Sequence, residues 1–147
     1  IQDLSRLKEF EGMRMSDTVK RLLVENYAVF QNCYNGIGSQ VGWFNRLISR
    51  YIPEKILGVS LKRPVRLHDA EYKYPEQFNT LDEAEAHKAK VDKYFWENCA
   101  FEIEQDHQKD WLDDARLRVC AGYYWGLKFF GRRAFLSGKT IGGAVYP

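Results

Sequence analysis

The stretch "RLHDAEYKYP", residues 66–75, sets His68 beside Asp69, with Tyr72 and Tyr74 close behind. An imidazole can take a proton from water near neutral pH when a carboxylate holds one ring nitrogen and the other faces the water. A carboxylate can serve as that holder, or it can bind a hard cation through its oxygens. On a helix His68 and Tyr72, four residues apart, share a face, whereas Asp69 turns away from His68 by about 100°. The adjacent pair therefore either serves two different partners or is two polar residues at the edge of a short helix.

A partner for His68 comes from a second segment. A capping box at Thr80-Leu81-Asp82-Glu83 predicts a long helix running to about residue 105. On it Ala84, Val91, Phe95, Cys99 and Ile103 fall on one face, the face that meets a core, while Lys90, Lys93 and Glu97 point away. Asp92 falls inside the apolar stripe, where an unbonded carboxylate costs on the order of several kcal/mol. Either Asp92 lies at the border of the stripe and reaches solvent or a backbone N–H, or it accepts hydrogen bonds from His68 and Tyr72 across two antiparallel helices. Asp69 needs a different neighbour. The segment "CYNGIGSQVGW", residues 33–43, carries Gly36, Gly38 and Gly42 flanked by Asn35 and Ser39, which is loop chemistry. Several main-chain carbonyls plus one carboxylate satisfy a cation such as Ca²⁺, which can polarise an ester carbonyl while a loop N–H steadies the oxyanion.

These three segments, in this order, resemble the secreted phospholipase A2 superfamily. "YNGIG", residues 34–38, resembles its calcium loop; "HDAEY", residues 68–72, its active-site helix; and "VDKYF", residues 91–95, its aspartate-bearing second helix. Over roughly 33–136 the chain looks closer still to the disulfide-poor phospholipase A2-like proteins of bacteria and their phages. The resemblance implies that His68 activates the attacking water, that Asp92 orients His68 and that Tyr72 hydrogen-bonds Asp92. It implies further that Asp69 binds Ca²⁺ through its side chain together with the main-chain carbonyls of Tyr34, Gly36 and Gly38, and that the Gly36 N–H lies in the oxyanion hole. The implied substrate is the sn-2 ester of a glycerophospholipid, met transiently at a membrane surface. Two departures stand out: Asn35 replaces the half-cystine of the loop, and Leu67 precedes His68 where cysteine is usual. The gap from Gly38 to His68 is thirty residues (68 minus 38), longer than in the compact secreted enzymes. The separation of twenty-four between His68 and Asp92 (92 minus 68) suits the cysteine-poor members. A different class of reading is a phage or prophage structural or interaction protein that keeps this scaffold without turnover and binds phage or bacterial proteins.

The elements that must position these residues are mostly helical. The expected fold class is mainly α: a phospholipase A2-like core of two antiparallel helices, N-terminal and C-terminal helices, and a Gly-rich calcium-type loop. One domain spans 1–147, with 1–15 and 137–147 peripheral. A chain of 147 residues can bury one core, and 45% apolar with 15% aromatic residues speaks against disorder. A net charge of +2 is too small for a dedicated nucleic-acid binder, so no nucleic acid is expected. Charges interrupt every apolar run before the ~18 residues that a membrane span requires. No signal peptide opens the chain, although residue 1 is Ile and an upstream piece stays open. The expectation is a soluble protein, phage-associated or secreted by a non-classical route. Cys33, Cys99 and Cys120 are too few and too widely spaced for a disulfide framework or a zinc site, and Cys99 and Cys120 read as small buried hydrophobes.

Along the chain, an amphipathic helix is predicted over 16–31, with Ser16 or Asp17 as cap, and a short one in "WFNRLISRYI", residues 43–52. A connecting segment with little helical character runs from Pro53 to Pro64, and the helix carrying His68 follows Pro64 and ends before Pro75. A third long helix is expected over Asp113–Phe130, closed by Gly131 as a C-cap. The tail 137–147 reads as extended or loosely ordered. Lys128, Arg132, Arg133 and Lys139 gather near Trp125, Phe129, Phe130 and Phe135. They form either a solvated helix end with the aromatics turned to the core, or a patch for lipid phosphates. Trp43 and Phe44 are candidates for an acyl slot or for ordinary core. His87 and His107, in charged and exposed surroundings, receive no role.

Overall fold

The computed structural model describes residues 4–34, 55–56, 58–105 and 111–147. Gly36, Gly38, Trp43, Phe44, His107 and the short helix expected over 43–52 lie outside the described residues. The chain is mainly helical, with α1 (Ser5–Lys8), α2 (Asp17–Glu25), α3 (Tyr27–Tyr34), α4 (Lys62–Lys73), α5 (Leu81–Gln105), α6 (Asp113–Phe130) and α7 (Arg132–Leu136). Short strands fill two connections. β1 (Lys55–Ile56) and β2 (Val59–Ser60) form an antiparallel hairpin with Ile56 opposite Val59. β3 (Gln77–Phe78), β4 (Thr140–Ile141) and β5 (Ala144–Val145) form a sheet in that order, parallel between β3 and β4 and antiparallel between β4 and β5.

The helix expected over 16–31 is two helices. Ser16 caps α2, its Oγ accepting from the Val19 N–H at 3.3 Å, and Val19, Leu22 and Leu23 face inward. Asn26 then leaves helical conformation at φ −149°, ψ 66°, and α3 restarts at Tyr27. Asparagine tolerates such a break because its side chain competes with the backbone for local hydrogen bonds. The change of direction lets Phe30 pack edge-on against Phe10, with ring centroids 5.7 Å apart.

α4 starts at Lys62, two residues before Pro64 rather than after it. Proline fits the first helical turn, where its missing N–H would have had no intrahelical acceptor. This helix lies between two apolar clusters. Leu67 and Ala70 join Phe10, Val19, Leu22, Leu23, Phe30 and Cys33 on one side. Tyr72 joins Val91, Phe95, Cys99, Leu127 and Phe135 on the other. At its start Arg63 Nε donates to Glu102 near the end of α5 at 3.2 Å, so α4 and α5 run antiparallel. α5 and α6 are antiparallel too, with Cys99 against Cys120 and Lys88 reaching the Leu127 carbonyl.

The cap of α5 forms as its sequence predicts, with one shift. Thr80 Oγ1 accepts from the Glu83 N–H at 3.2 Å, and the Glu83 carboxylate accepts from Asn79 rather than from Thr80. Ala84, Val91, Phe95, Cys99 and Ile103 are all buried, and so are the polar residues Lys88, Asp92 and Asn98. Asn98 grips the segment before α2 as a strand would, accepting from the Arg14 N–H at 2.7 Å and donating to the Arg14 carbonyl at 2.8 Å.

The tail is ordered, contrary to its glycine content. Gly142 and Gly143, at φ 59° and 87°, make the tight turn between β4 and β5. Beside them Lys139 is fully buried. Its ammonium donates to the carbonyls of Glu71 at 3.0 Å, Tyr72 at 2.7 Å and Tyr74 at 2.5 Å. A helix leaves its last carbonyls without intrahelical donors, and a cation there also suits the helix dipole. Lys139 is thus the C-terminal clamp of α4 and belongs to no surface patch.

Burial lowers the Lys139 pKa to about 8, against attraction from Glu76 and Glu71. The unfolded value is about 10.4, so the fold favours the neutral amine. The resulting stabilisation is complete above that value and is lost as pH falls through about 8, a swing on the order of 3 kcal/mol. The unfolding free energy of the wild type relative to Lys139→Met should therefore rise between pH 7.5 and 10, as measured by denaturant titration. A flat difference would show that the buried ammonium is not penalised.

Candidate functional site

α4 and α5 bring three of the sequence-predicted residues together. His68 Nε2 lies 3.1 Å from Asp92 Oδ1, and the Tyr72 hydroxyl donates to the same oxygen at 2.6 Å. Asp92 is only 2% exposed, so the reading of it as a border residue facing solvent does not hold. A carboxylate accepts only, which places the proton of a neutral imidazole on Nε2 and makes Nδ1 the basic nitrogen. The ring is wedged between Tyr72 and Phe95, at centroid distances of 4.2 and 4.8 Å. Burial and the nearby Asp92 charge raise the Tyr72 pKa well above its ordinary value, so it stays a phenol and a donor.

Asp92 has a further partner that the helix-to-helix argument missed. Lys88 Nζ donates to Asp92 Oδ2 at 2.7 Å and to the Leu127 carbonyl at 2.8 Å. The signal was in the spacing: Lys88 precedes Asp92 by four residues and shares its face. Burial pushes the Asp92 pKa up, but the hydrogen bond and charge of His68, followed by those of Lys88, outweigh it and hold the carboxyl below its usual range. The site thus keeps Asp92 ionised although it is out of water.

Gly131 completes the wall behind Tyr72. It is the C-cap of α6, as its position suggested, but at φ −85°, an ordinary right-handed value that does not itself call for glycine. A Cβ there would lie 2.5 Å from the Leu127 carbonyl oxygen and 2.8 Å from the Tyr72 hydroxyl. Glycine is needed for close approach.

Asp69 turns to another neighbour, as the helix geometry requires. Its side chain is 27% exposed, with Lys73 Nζ 4.0 Å away. Both charges act on the Cys33 thiol near the end of α3, whose pKa burial raises. α3 ends at Tyr34, immediately before the glycine-rich segment in sequence. Among the described residues no group of three or more His, Cys, Asp or Glu could hold a metal ion, and a carbonyl-rich set would not form one.

The remaining candidates divide. Trp125, Phe129 and Phe130 are 49%, 66% and 62% exposed, whereas Phe135 is buried. Trp125 stacks on Phe129 at 5.6 Å with Lys128 Nζ 4.9 Å from the Trp125 ring centre. Arg132 pairs with Glu85 at 2.5 Å, and Arg133 is exposed. Of the aromatics expected to turn inward, Phe135 alone does so. Cys99 and Cys120 are buried as predicted. His87 is not exposed: it packs on Phe78 and Phe135 and lies 3.4 Å from Glu76.

Replacing Gly131 by Ala should push the Tyr72 hydroxyl off Asp92 and destabilise the fold by about 1–3 kcal/mol. In a Tyr72→Phe background the same change should cost less, because the hydroxyl it strikes is gone. Equal costs in both backgrounds, by chemical denaturation, would show that the contact with Tyr72 is immaterial.

No protein-family model matches the chain, and no curated protein and no solved structure shows significant similarity to it.

Proposed function

We propose that the chain is a calcium-dependent phospholipase A2-type hydrolase that cleaves the sn-2 ester of glycerophospholipids, on a phospholipase A2-like core formed by α4 and α5. The observation that carries this reading is the arrangement of His68, Tyr72 and Asp92 across antiparallel helices. Asp92 fixes the imidazole and stabilises the imidazolium that forms when Nδ1 takes a proton from water. The resulting hydroxide adds to the ester carbonyl, and the imidazolium returns the proton to the leaving alkoxide of the lysophospholipid. The Gly36 N–H is the oxyanion donor in this scheme. Asp69, with the carbonyls of Tyr34, Gly36 and Gly38, would hold Ca²⁺, which when bound supplies charge to polarise the ester carbonyl.

Among the described residues no helix is long and apolar enough to cross a membrane. In this reading lipid is met at the interface, and the exposed rings of Trp125, Phe129 and Phe130 beside Lys128 and Arg133 are the surface suited to it: apolar groups below, cations at phosphate depth.

Hydrolysis of phospholipid vesicles, with and without Ca²⁺, tests the chemistry. His68→Gln should lower the rate by about 10²–10⁴-fold, and Asp69→Asn should abolish the calcium-stimulated activity. Calcium-independent activity that survives both substitutions would sink the mechanism. A wild type that binds Ca²⁺ but turns over no phospholipid would favour a scaffold or interaction protein.

The lipid surface is tested separately, by cosedimentation with anionic vesicles. Trp125→Ala and Phe129→Ala should each weaken partitioning by roughly tenfold, the loss expected when an aromatic ring no longer inserts. Unchanged partitioning in the double variant would move lipid contact to another face.

A further inference from the structure

We infer that Lys88 is a positioning residue for the His68–Asp92 pair: its ammonium fixes the second oxygen of Asp92 and anchors it to the end of α6. The part of this inference that concerns turnover rests on the hydrolase reading above; the part that concerns geometry does not.

The two oxygens of Asp92 are held by different elements. Oδ1 accepts from His68 and Tyr72, both on α4, while Oδ2 accepts from Lys88, on α5 itself. A carboxylate held at one oxygen still swings about its terminal torsion, which is broad and shallow. Holding both oxygens removes that freedom, and the plane of the carboxylate then sets the direction from which Nε2 must approach.

Lys88 is itself immobilised. Its side chain is buried, and its ammonium also donates to the Leu127 carbonyl at 2.8 Å, in the last turn of α6. That carbonyl lies at the negative end of the α6 dipole, where a cation is favoured, and it also accepts from the Gly131 N–H at 2.9 Å. A lysine tied down at both ends is unlike a surface lysine, whose long stem would lose much rotamer freedom for one bond. The ion pair also leaves His68 facing a carboxylate whose charge is already balanced from its far side.

A lysine that only neutralised a buried carboxylate would affect stability and nothing else. A positioning lysine also changes the imidazole, because a displacement on the order of 1 Å at a catalytic group can cost about 10²-fold in rate. The discriminating readout is the proton on His68 Nε2, observed by NMR as a downfield resonance and assigned by its loss in His68→Gln. In Lys88→Met, with the rest of the spectrum folded, this resonance should shift or broaden, and kcat on short-chain phospholipid should fall by about 10–100-fold with KM within about twofold. Lys88→Arg, which keeps the charge and the donors, should recover part of both. Lys88→Gln is the second variant if methionine unfolds the chain, since its shorter amide cannot span from Oδ2 to the Leu127 carbonyl. A resonance unchanged in a folded Lys88 variant overturns the inference, and so does an unchanged kcat. A wild type without phospholipid turnover, whose Nε2 resonance still responds to Lys88, overturns the hydrolase reading and leaves the geometric inference standing.

Discussion

A carboxylate taken out of water must be surrounded by donors, and Asp92 is surrounded by three of them from two helices. An ion of this kind stranded without partners costs several kcal/mol, roughly a large share of the total stability of a small domain. The positions of its donors are therefore tightly constrained. His68 and Tyr72, one turn apart, both reach Oδ1, so α4 must cross α5 at the level of Asp92 with that one face inward. The Tyr72 hydroxyl then comes so near the turn between α6 and α7 that only glycine fits there. Lys88, bonded to both Asp92 and Leu127, sets how far along α5 the end of α6 comes to rest. One buried charge thus couples the placement of α4, α5, α6 and the start of α7.

α4 is held in register from several sides by closely spaced residues. His68 and Tyr72 face α5; Glu71 accepts from both the backbone and the hydroxyl of Ser16, at the start of α2. Arg66 donates to Glu9 at 2.7 Å and to Tyr27 at 2.6 Å, and Lys139 closes the last carbonyls. Apolar burial supplies most of the driving force but is non-directional, and would tolerate a rotation of the helix that kept Leu67 and Ala70 covered. The polar contacts would not, since a turn of about 100° exchanges each residue for its neighbour. They specify which way His68 points.

How much of this was legible depends on whether the deciding information is local. The start of α5 at its capping box and the span of α6 follow from caps and apolar period, which a short window contains. Asp92 was legible as an anomaly, because a charge inside an apolar stripe needs donors, and His68 and Tyr72 were legible as a shared face. Lys139 was not, and Lys88 was legible only through its i,i+4 spacing to Asp92: a lysine normally reads as solvated, and the tertiary structure is what shows its stem running through the core to a buried acceptor. Gly131 reads the same in sequence whether it serves a left-handed cap or a close approach. The strands of the tail are two residues long, too short for alternation to appear, although the Gly142–Gly143 pair does mark their turn. The glycine-rich segment from Asn35 onward lies outside the described residues.

Cys33, Cys99 and Cys120 are all free thiols, so no disulfide bond braces the helices. Cross-links of that kind hold helices together wherever they are placed, independently of the chemistry of a site. Here the corresponding work falls to Glu71 with Ser16, Arg63 with Glu102, Lys139 with the end of α4, and Lys88 with Asp92 and Leu127. Such contacts are strong only while water is kept out, because the low local dielectric that strengthens them is provided by the surrounding packing. Phe95 and Phe135, which enclose His68 and Tyr72, therefore act on the polar pair without bonding to it. Bracing and site share the same residues in this chain: loosening the packing around α4 weakens the hold on Asp92, and removing a donor from Asp92 loosens the packing.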